Sequence, residues 1–572
     1  MRKVFDYLHP YLGRMSLGLV IKFIGTIMDL LLPWILSYLI DSIVPLRDTA
    51  QILFWGGMMV VCAVIALVTN IVANRMASRV AQLTTKALRH DLFSKISYLS
   101  CRQVDSYTIS SLESRLTSDT YNVHQMIGMM QRLGVRAPIL LLGGILVTLM
   151  LEPVLALVLI CTLPFIGVLV YLVSKKGIPL YRRLQQGVDQ MVRTVRENAA
   201  GIRVIKALSK TAYEKARFAE VNREVVRRES KAGITMALTN PMMNLFLNVG
   251  LTVVILVGAF RVDAGLTQPG KILAFLTYFT IILNAMLSIT RMFVMYSKGS
   301  ASADRISEVL DTWEDLQVSP LPCGDEDLHV EFEHVSFSYN HTEKVLEDIS
   351  FQLRRGETLG IIGATGSGKS SICSLLMRLY DADKGEIRIG GRPVRSIPPE
   401  ELHRMFGVVF QNDFLFADTI RANIDFGRHI PEGDLQTAVQ AAQAASFIKA
   451  LPDGLEHRLT AKGTNLSGGQ KQRLLIARAL AGRPDILILD DSSSALDYKT
   501  DASLRKALRT EYAGVTTIII AQRISSLRHA DHILVLDEGK PIGYGRHAEL
   551  MRDCEIYREI SRSQMGGEAD AI

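Results

Sequence analysis

Six apolar stretches occupy the first 300 residues, at 16–40, 52–73, 137–151, 154–173, 241–260 and 272–293. Most reach the length of about 20 apolar residues that a helix needs to cross a bilayer core, the third being the shortest. Glu152-Pro153 reads as a tight turn, so the third and fourth stretches are expected to form a hairpin. The connections at 74–136 and 174–240 are long and are not loops. Val192, Val195, Ala199, Ile202, Ile205 and Leu208 recur at helical spacing, which predicts membrane helices that run on past the bilayer and turn back near 105–111 and 209–214. Past residue 328 the pattern changes to short β-rich runs alternating with helices, the mark of an α/β domain. A stretch rich in Asp, Pro and Glu at 311–327 separates the two regimes. The expected organisation is a helical membrane region at 1–310, a linker at 311–327 and an α/β domain at 328–572.

Composition agrees with a chain of two characters: 48% of the residues are hydrophobic and 21% charged. The short connections at 41–51, 152–153 and 261–271 carry few basic residues. The long ones carry many, among them Arg75, Arg79, Lys86, Arg89, Lys175, Lys176, Arg182 and Arg183. An excess of Lys and Arg marks the cytoplasmic side, which places the long extensions and both termini in the cytoplasm of a multi-pass protein of the cell membrane. Loops held against an anionic membrane surface also account for the net charge of +7, so no nucleic-acid partner is expected. Met1 to Arg14 holds no small-residue cleavage site, and the first span is expected to stay as an anchor. The six cysteines are scattered, without a C-x-x-C pair, and point to no metal or redox framework. Asp29 lies inside the first span. An intramembrane carboxylate suggests a polar pathway, although one near Pro33 also suits a kink or a helix interface. Arg291, near the end of the last span, is expected to snorkel.

The chemistry lies in the second half. Gly363-Ala-Thr-Gly-Ser-Gly-Lys-Ser370 fits G-x-x-x-x-G-K-[ST], follows an apolar strand at 358–362 and opens a helix at Ser371. That setting gives the motif its meaning. Gly363, Thr365, Gly366, Ser367, Gly368, Ser370 and Ser371 belong to a loop and helix start whose backbone N–H groups approach phosphate oxygens. Lys369 is expected on the β- and γ-phosphates of ATP, and Ser370 on Mg²⁺. Ile486-Leu-Ile-Leu489 reads as a buried strand ending in Asp490, a second Mg²⁺ ligand beside the phosphates. Leu466-Ser467-Gly468-Gly469-Gln470 precedes another helix, a second place suited to an anion.

These motifs, in this order, resemble the ABC ATPase superfamily, and the spans resemble its exporters with six helices per half. The resemblance covers nearly the whole chain. It implies an all-α transmembrane bundle of six helices with long cytoplasmic extensions, followed by an α/β P-loop ATPase domain. It implies that Ser467–Gln470 close over the γ-phosphate held by a second half-transporter chain, so that two ATPs are sandwiched between two domains. Tyr339, in Val335-Ser-Phe-Ser-Tyr339, resembles the aromatic that stacks on adenine. Gln411 resembles the glutamine that touches Mg²⁺ and relays to the membrane part, and Ser494-Ala-Leu-Asp497 resembles the loop joining the two sites.

The chain departs from the family pattern at three places. Asp491 stands where the catalytic base is usually Glu, Gln522 stands where a histidine is usual, and Ala461 stands where exporters often have a glutamate ahead of the signature. Asp491 and Gln522 are both in the catalytic set, so a weakly hydrolytic site is expected. This resembles heterodimeric exporters that pair an impaired site with a competent one. The cargo implied is a hydrophobic or amphipathic small molecule, a drug or a lipid. A homodimeric lipid or drug exporter and an ATP-gated channel or regulatory subunit remain the competing readings.

Overall fold

The computed structural model describes residues 1–313, 315–340, 342–492 and 496–565. The chain forms two compact units: Met1–Ser97 with Ser110–Thr312, and Tyr98–Ile109 with Trp313–Ile572.

The first unit is helical throughout. Its long helices are Leu12–Tyr38, Thr49–Ser97, Thr120–Leu151, Pro153–Ala200, Thr211–Ala237, Thr239–Asp263 and Pro269–Leu310. Among the described residues, five helical stretches are long and apolar enough to cross a membrane. The expected fourth span falls on a shorter apolar stretch, Pro153–Leu169, within one continuous helix that runs on to Ala200. The hairpin turn is a single extended residue, Glu152 at φ −160°, with Pro153 at the first helical position, where its missing N–H costs nothing. Glu152 is buried and pairs with Arg261 at 2.8 Å.

The bundle packs around Leu30, Leu155, Leu159, Phe275, Tyr278, Phe279 and Ile282. The buried Tyr278 hydroxyl donates to the Leu30 carbonyl at 2.5 Å. On the helix Thr49–Ser97, large apolar side chains such as Leu53, Phe54, Val60 and Val61 stay exposed. A surface of that composition is expected where lipid is the solvent. Asp29 is an interface residue: its carboxylate pairs with Arg136 on the helix Thr120–Leu151, at 3.1 Å.

The second unit contains two sheets. β1 (Val330–Phe337), β2 (Leu346–Leu353), β4 (Lys384–Ile389) and β5 (Arg392–Pro393) form an antiparallel sheet in the order β2-β1-β4-β5. The other sheet joins β3 (Thr358–Gly363), β6 (Phe406–Val409), β7 (Ile486–Asp490), β8 (Thr516–Ile520), β9 (His532–Asp537) and β10 (Lys540–Gly545) in the order β10-β9-β3-β8-β7-β6. It is parallel except for the edge strand β10. Every residue of β7 is buried, as suits a parallel strand covered on both faces. One apolar core fills the space between the sheets around the helix Lys369–Leu376, and a second surrounds the helix Gly468–Ala481.

Within the stretch 311–327, contacts run along this unit: Arg378 donates to the Gln317 carbonyl, and the Ser319 and Gly324 amides donate to Arg395 and Gly391 carbonyls. The tip of the first extension carries the short helix Cys101–Tyr107, capped by Ser100 and Gln103, and the turn expected at 105–111 falls at Thr108, where φ is +64°. A second short helix, Ile202–Ala207, stands ahead of the turn at Ser209, where φ is +54°.

Candidate functional site

The strand order β3-β8-β7 builds the site. Register places Ile361, Ile520 and Asp490 side by side, so the segments that follow these strands leave from one edge of the sheet. Ligands of open α/β sheets bind at that edge. It brings the glycine-rich loop, Ala521-Gln522 and Asp490-Asp491 together. A cavity of about 280 Å³ is lined by Tyr339, Thr365, Gly366, Gly368, Lys369, Ser370, Ser371, Gln411, Asp490, Asp491 and Gln522, with Val345, Ile520 and Ala521.

The loop is shaped for an anion. Gly366 and Gly368 have φ of +87° and +93°, the left-handed region that glycine enters without strain. A Cβ on Gly368 would stand 2.5 Å from Leu346 and 2.8 Å from the Val345 carbonyl. Gly368 leads directly into the helix Lys369–Leu376, whose N-terminal N–H groups face the loop. Gly363 ends β3, and Ser367 is buried beneath the loop rather than lining the cavity.

The Lys369 ammonium donates to the Gly363 and Ala364 carbonyls at 3.0 and 2.6 Å, so it is held within the loop. Burial lowers its pKa, and the charges of Asp490 and Asp491 oppose that shift. The Ser370 hydroxyl donates to Asp490 at 2.6 Å. Burial lifts the Asp490 carboxyl above the ordinary aspartate value; the Ser370 hydrogen bond and Lys369 pull it down, and Asp491 adds to the rise. A carboxylate, a hydroxyl and the Gln411 amide at one cavity are hard oxygen donors. Too few to cage a metal alone, they suit Mg²⁺ that arrives with phosphate oxygens and water.

Tyr339 presents its ring at the cavity. Its hydroxyl is 2.9 Å from Ser371, and its ring packs edge-on against Phe337 and Tyr380. Tyr380 in turn donates to Asp105 of the helix Cys101–Tyr107 at 2.7 Å. Burial and this bond to Asp105 both raise the Tyr380 pKa. Asp491 has a φ of +49°, a left-handed position that is costly outside glycine and recurs at functional sites.

The signature residues Ser467, Gly468, Gly469 and Gln470 are not among the cavity-lining residues. Gly468, Gly469 and Gln470 begin the helix Gly468–Ala481 rather than preceding it, with Ser467 as the N-cap that Gln470 caps in return. The Gln470 amide donates to Ser467 Oγ at 3.3 Å, and Gln470 Oε1 accepts from the Ser467 amide at 2.9 Å. Ser467 and Gly468 are exposed. Of the expected loop between the two sites, Ser494 and Ala495 lie outside the described residues, while Asp497 caps the helix Tyr498–Glu511.

Sequence reasoning missed two groups. Tyr380 carries no motif and is joined to the site only by packing. Gln564, on the helix Glu555–Met565, holds the Gln522 segment from both sides: its amide donates to the Gln522 carbonyl at 2.7 Å and its oxygen accepts from Ile524 at 2.9 Å. Gln564→Ala is expected to speed amide exchange across 521–524 by about tenfold, with the rest of the domain unchanged in a deuterium-exchange map.

A P-loop ATP-binding domain joined in one chain to a bundle of long apolar helices defines an ABC exporter. Residues 15–286 match the family described as ABC transporter transmembrane region, and residues 346–494 match the family described as ABC transporter. The chain is 35% identical to the uncharacterized ABC transporter ATP-binding protein YfiB of Bacillus subtilis over 99% of both chains. It is 33% identical to an uncharacterized ABC transporter ATP-binding protein of Mycobacterium tuberculosis, over 98% of this chain and 97% of that one. The structure of a bacterial Atm1-family ABC exporter with ATP bound superposes with a TM-score of 0.81 at 24% identity, covering 98% of this chain and 99% of that chain, which bears on the fold. The chain belongs to the ABC transporter family and has the exporter architecture, in which ATP drives transport through the membrane.

Proposed function

We propose that this chain is one half of a heterodimeric exporter of hydrophobic or amphipathic compounds in the cell membrane, with both termini cytoplasmic. Its own site binds ATP tightly and turns it over slowly. Its residues Ser467–Gln470 complete the working site of a non-identical partner chain. The carrying observation is that Asp491 and Gln522, the two departures from the catalytic pattern, line the same cavity as Lys369 and Asp490. Gln522 can donate a hydrogen bond to a γ-phosphate but cannot become cationic. The exposed N-terminus of the helix at Ser467 supports completion by a second chain.

Ser370, Asp490 and Gln411 would hold Mg²⁺, which when bound neutralises phosphate charge. Lys369 and the loop amides orient the phosphates, and Tyr339 offers a ring for the base. A nucleotide that joins two chains pulls their domains together; an occupied slow site biases the pair toward closed states. Two features support docking through the extensions. The tip helix Ile202–Ala207 and the following turn expose Ile202, Val204 and Leu208. The ATPase unit has an aromatic cleft lined by Phe410, Phe414, Phe416 and Phe426.

The test is to purify the full chain in mild detergent, identify what co-purifies, and follow ATP-dependent movement of an amphipathic dye in sealed vesicles. A second half-transporter and directional flux are expected. A homodimer with full ATPase activity would contradict the heterodimer and the impaired site together. Tyr380→Phe, which deletes the bond to Asp105 and leaves the aromatic packing, is expected to keep nucleotide affinity within about twofold. It is expected to lower dye transport more than ATP hydrolysis, measured in the same vesicles.

A further inference from the structure

Three cations gather between the helices Leu12–Tyr38, Thr49–Ser97 and Thr120–Leu151 of the membrane unit. Lys22 is only 3% exposed, and its ammonium donates to the neutral Asn74 amide oxygen at 3.0 Å. Arg132 and Arg136 lie within electrostatic reach of Lys22, and so does the Asp29 carboxylate. Asp29 is committed to Arg136 at 3.1 Å, and Arg132 donates to the Gly128 carbonyl at 3.1 Å. Among the described residues, Lys22 and Arg132 are therefore left without an ion pair.

Arg132 and Arg136 are part-exposed, the Arg136 side chain at 40%, whereas Lys22 is buried. Lys22 does not snorkel, because its head is buried between helices and turned to Asn74 rather than outward. An ammonium removed from water and given only an amide is costly. The neighbourhood also has spare hydrogen-bonding capacity: Arg136 Nε and Asn70 Oδ1 are buried with no partner. Apolar surface adjoins it on the Lys22 side, since Met76 packs against Gly18, one turn from Lys22 on the same helix face. Ionisable residues inside spans face substrate pathways by default.

We propose that Lys22, Arg132 and Arg136, with Asp29 paired to Arg136, form a subsite for the anionic head group of an amphiphile: a carboxylate, phosphate or sulfonate with an apolar tail. This rests on the amphipathic-cargo reading above and names the charge of that cargo. Lys22 supplies the buried point charge, and Arg132 supplies a planar donor that a carboxylate or phosphate oxygen pair fits. The tail lies against the methionine-bearing surface, which adapts to varied shapes.

The experiment uses the full chain with its co-purifying partner in phosphatidylcholine nanodiscs. Retention of radiolabelled dodecyl phosphate, dodecyltrimethylammonium and dodecanol is measured above that of empty discs. Dodecyl phosphate should be retained at least tenfold more tightly than the other two. Lys22→Gln combined with Arg132→Gln should remove that preference while Mg·ATP retention stays unchanged, and Lys22→Arg should keep it. Equal retention of the cationic probe by the unaltered protein, or a preference that survives the double substitution, overturns the subsite.

The anion has two sources, cargo or resident lipid. ATP-driven movement of dodecyl phosphate in sealed vesicles identifies cargo; phosphatidylglycerol retained in native mass spectra and not moved by ATP identifies lipid. Both outcomes uphold the anionic head-group site. Anion-selective retention without movement of any amphiphile refutes the amphipathic-export reading alone. Transport of amphiphiles without charge preference refutes the subsite alone.

Discussion

Lys369→Ala will lower Mg·ATP retention by this chain by about a hundredfold, read by filter binding or nucleotide fluorescence. The side chain is already held in the loop by two carbonyls, at 3.0 and 2.6 Å, so little ordering is needed to redirect it to phosphate oxygens. The neighbouring carboxylates Asp490 and Asp491 make the deletion costly. Without the ammonium, the phosphates of Mg·ATP meet two acids with only the metal and the loop dipoles to offset them. The fold should survive, because Lys369 lies at the first turn of its helix while Ile372, Leu375 and Leu376 of that helix fill the core. Circular dichroism and thermal unfolding of the variant should match those of the parent. If ATP is retained undiminished, the cavity at the β3-β8-β7 edge is not the nucleotide site.

Asp491→Glu together with Gln522→His will raise ATP turnover at this chain's site by about a hundredfold. Aspartate is one methylene shorter than glutamate, which draws its carboxylate back by roughly an ångström from the attacking water, and displacements of that size cost rates of this order. Histidine at 522 adds a group able to carry positive charge toward the γ-phosphate. The two changes act on one phosphate and are expected to be non-additive. Each single variant should fall well short of the pair in a single-turnover measurement. No gain from the pair means that Asp491 and Gln522 are tolerated variation rather than the reason for slow hydrolysis.

How much of this was legible depends on whether the information is local. The phosphate loop was readable because strand, glycines and helix follow one another within a dozen residues, and Asp490 because a wholly apolar strand precedes it. The two-character organisation was readable for the same reason, since hydropathy changes in blocks. The partner of Asp29 was not, because Arg136 is 107 residues away and only helix packing brings it near. Nor was the contact made by the first extension's tip. Periodicity predicts that the segment is helical but carries no information on what Cys101–Tyr107 docks against. Tyr380 and Gln564 escaped because an aromatic in a core pattern and a glutamine on a polar helix have no motif. Their parts arise from Asp105, Gln522 and Ile524, which are distant in the chain.

The central claim is that this chain's site keeps ATP while a partner's site consumes it. The most direct measurement is the chemical state of nucleotide retained by the assembly after several turnovers with labelled ATP and rapid removal of the free pool. One molecule per assembly, still intact ATP and absent when this chain carries Lys369→Ala, is the expected result. Retained nucleotide that is all ADP, or that exchanges as fast as the assembly turns over, would contradict it.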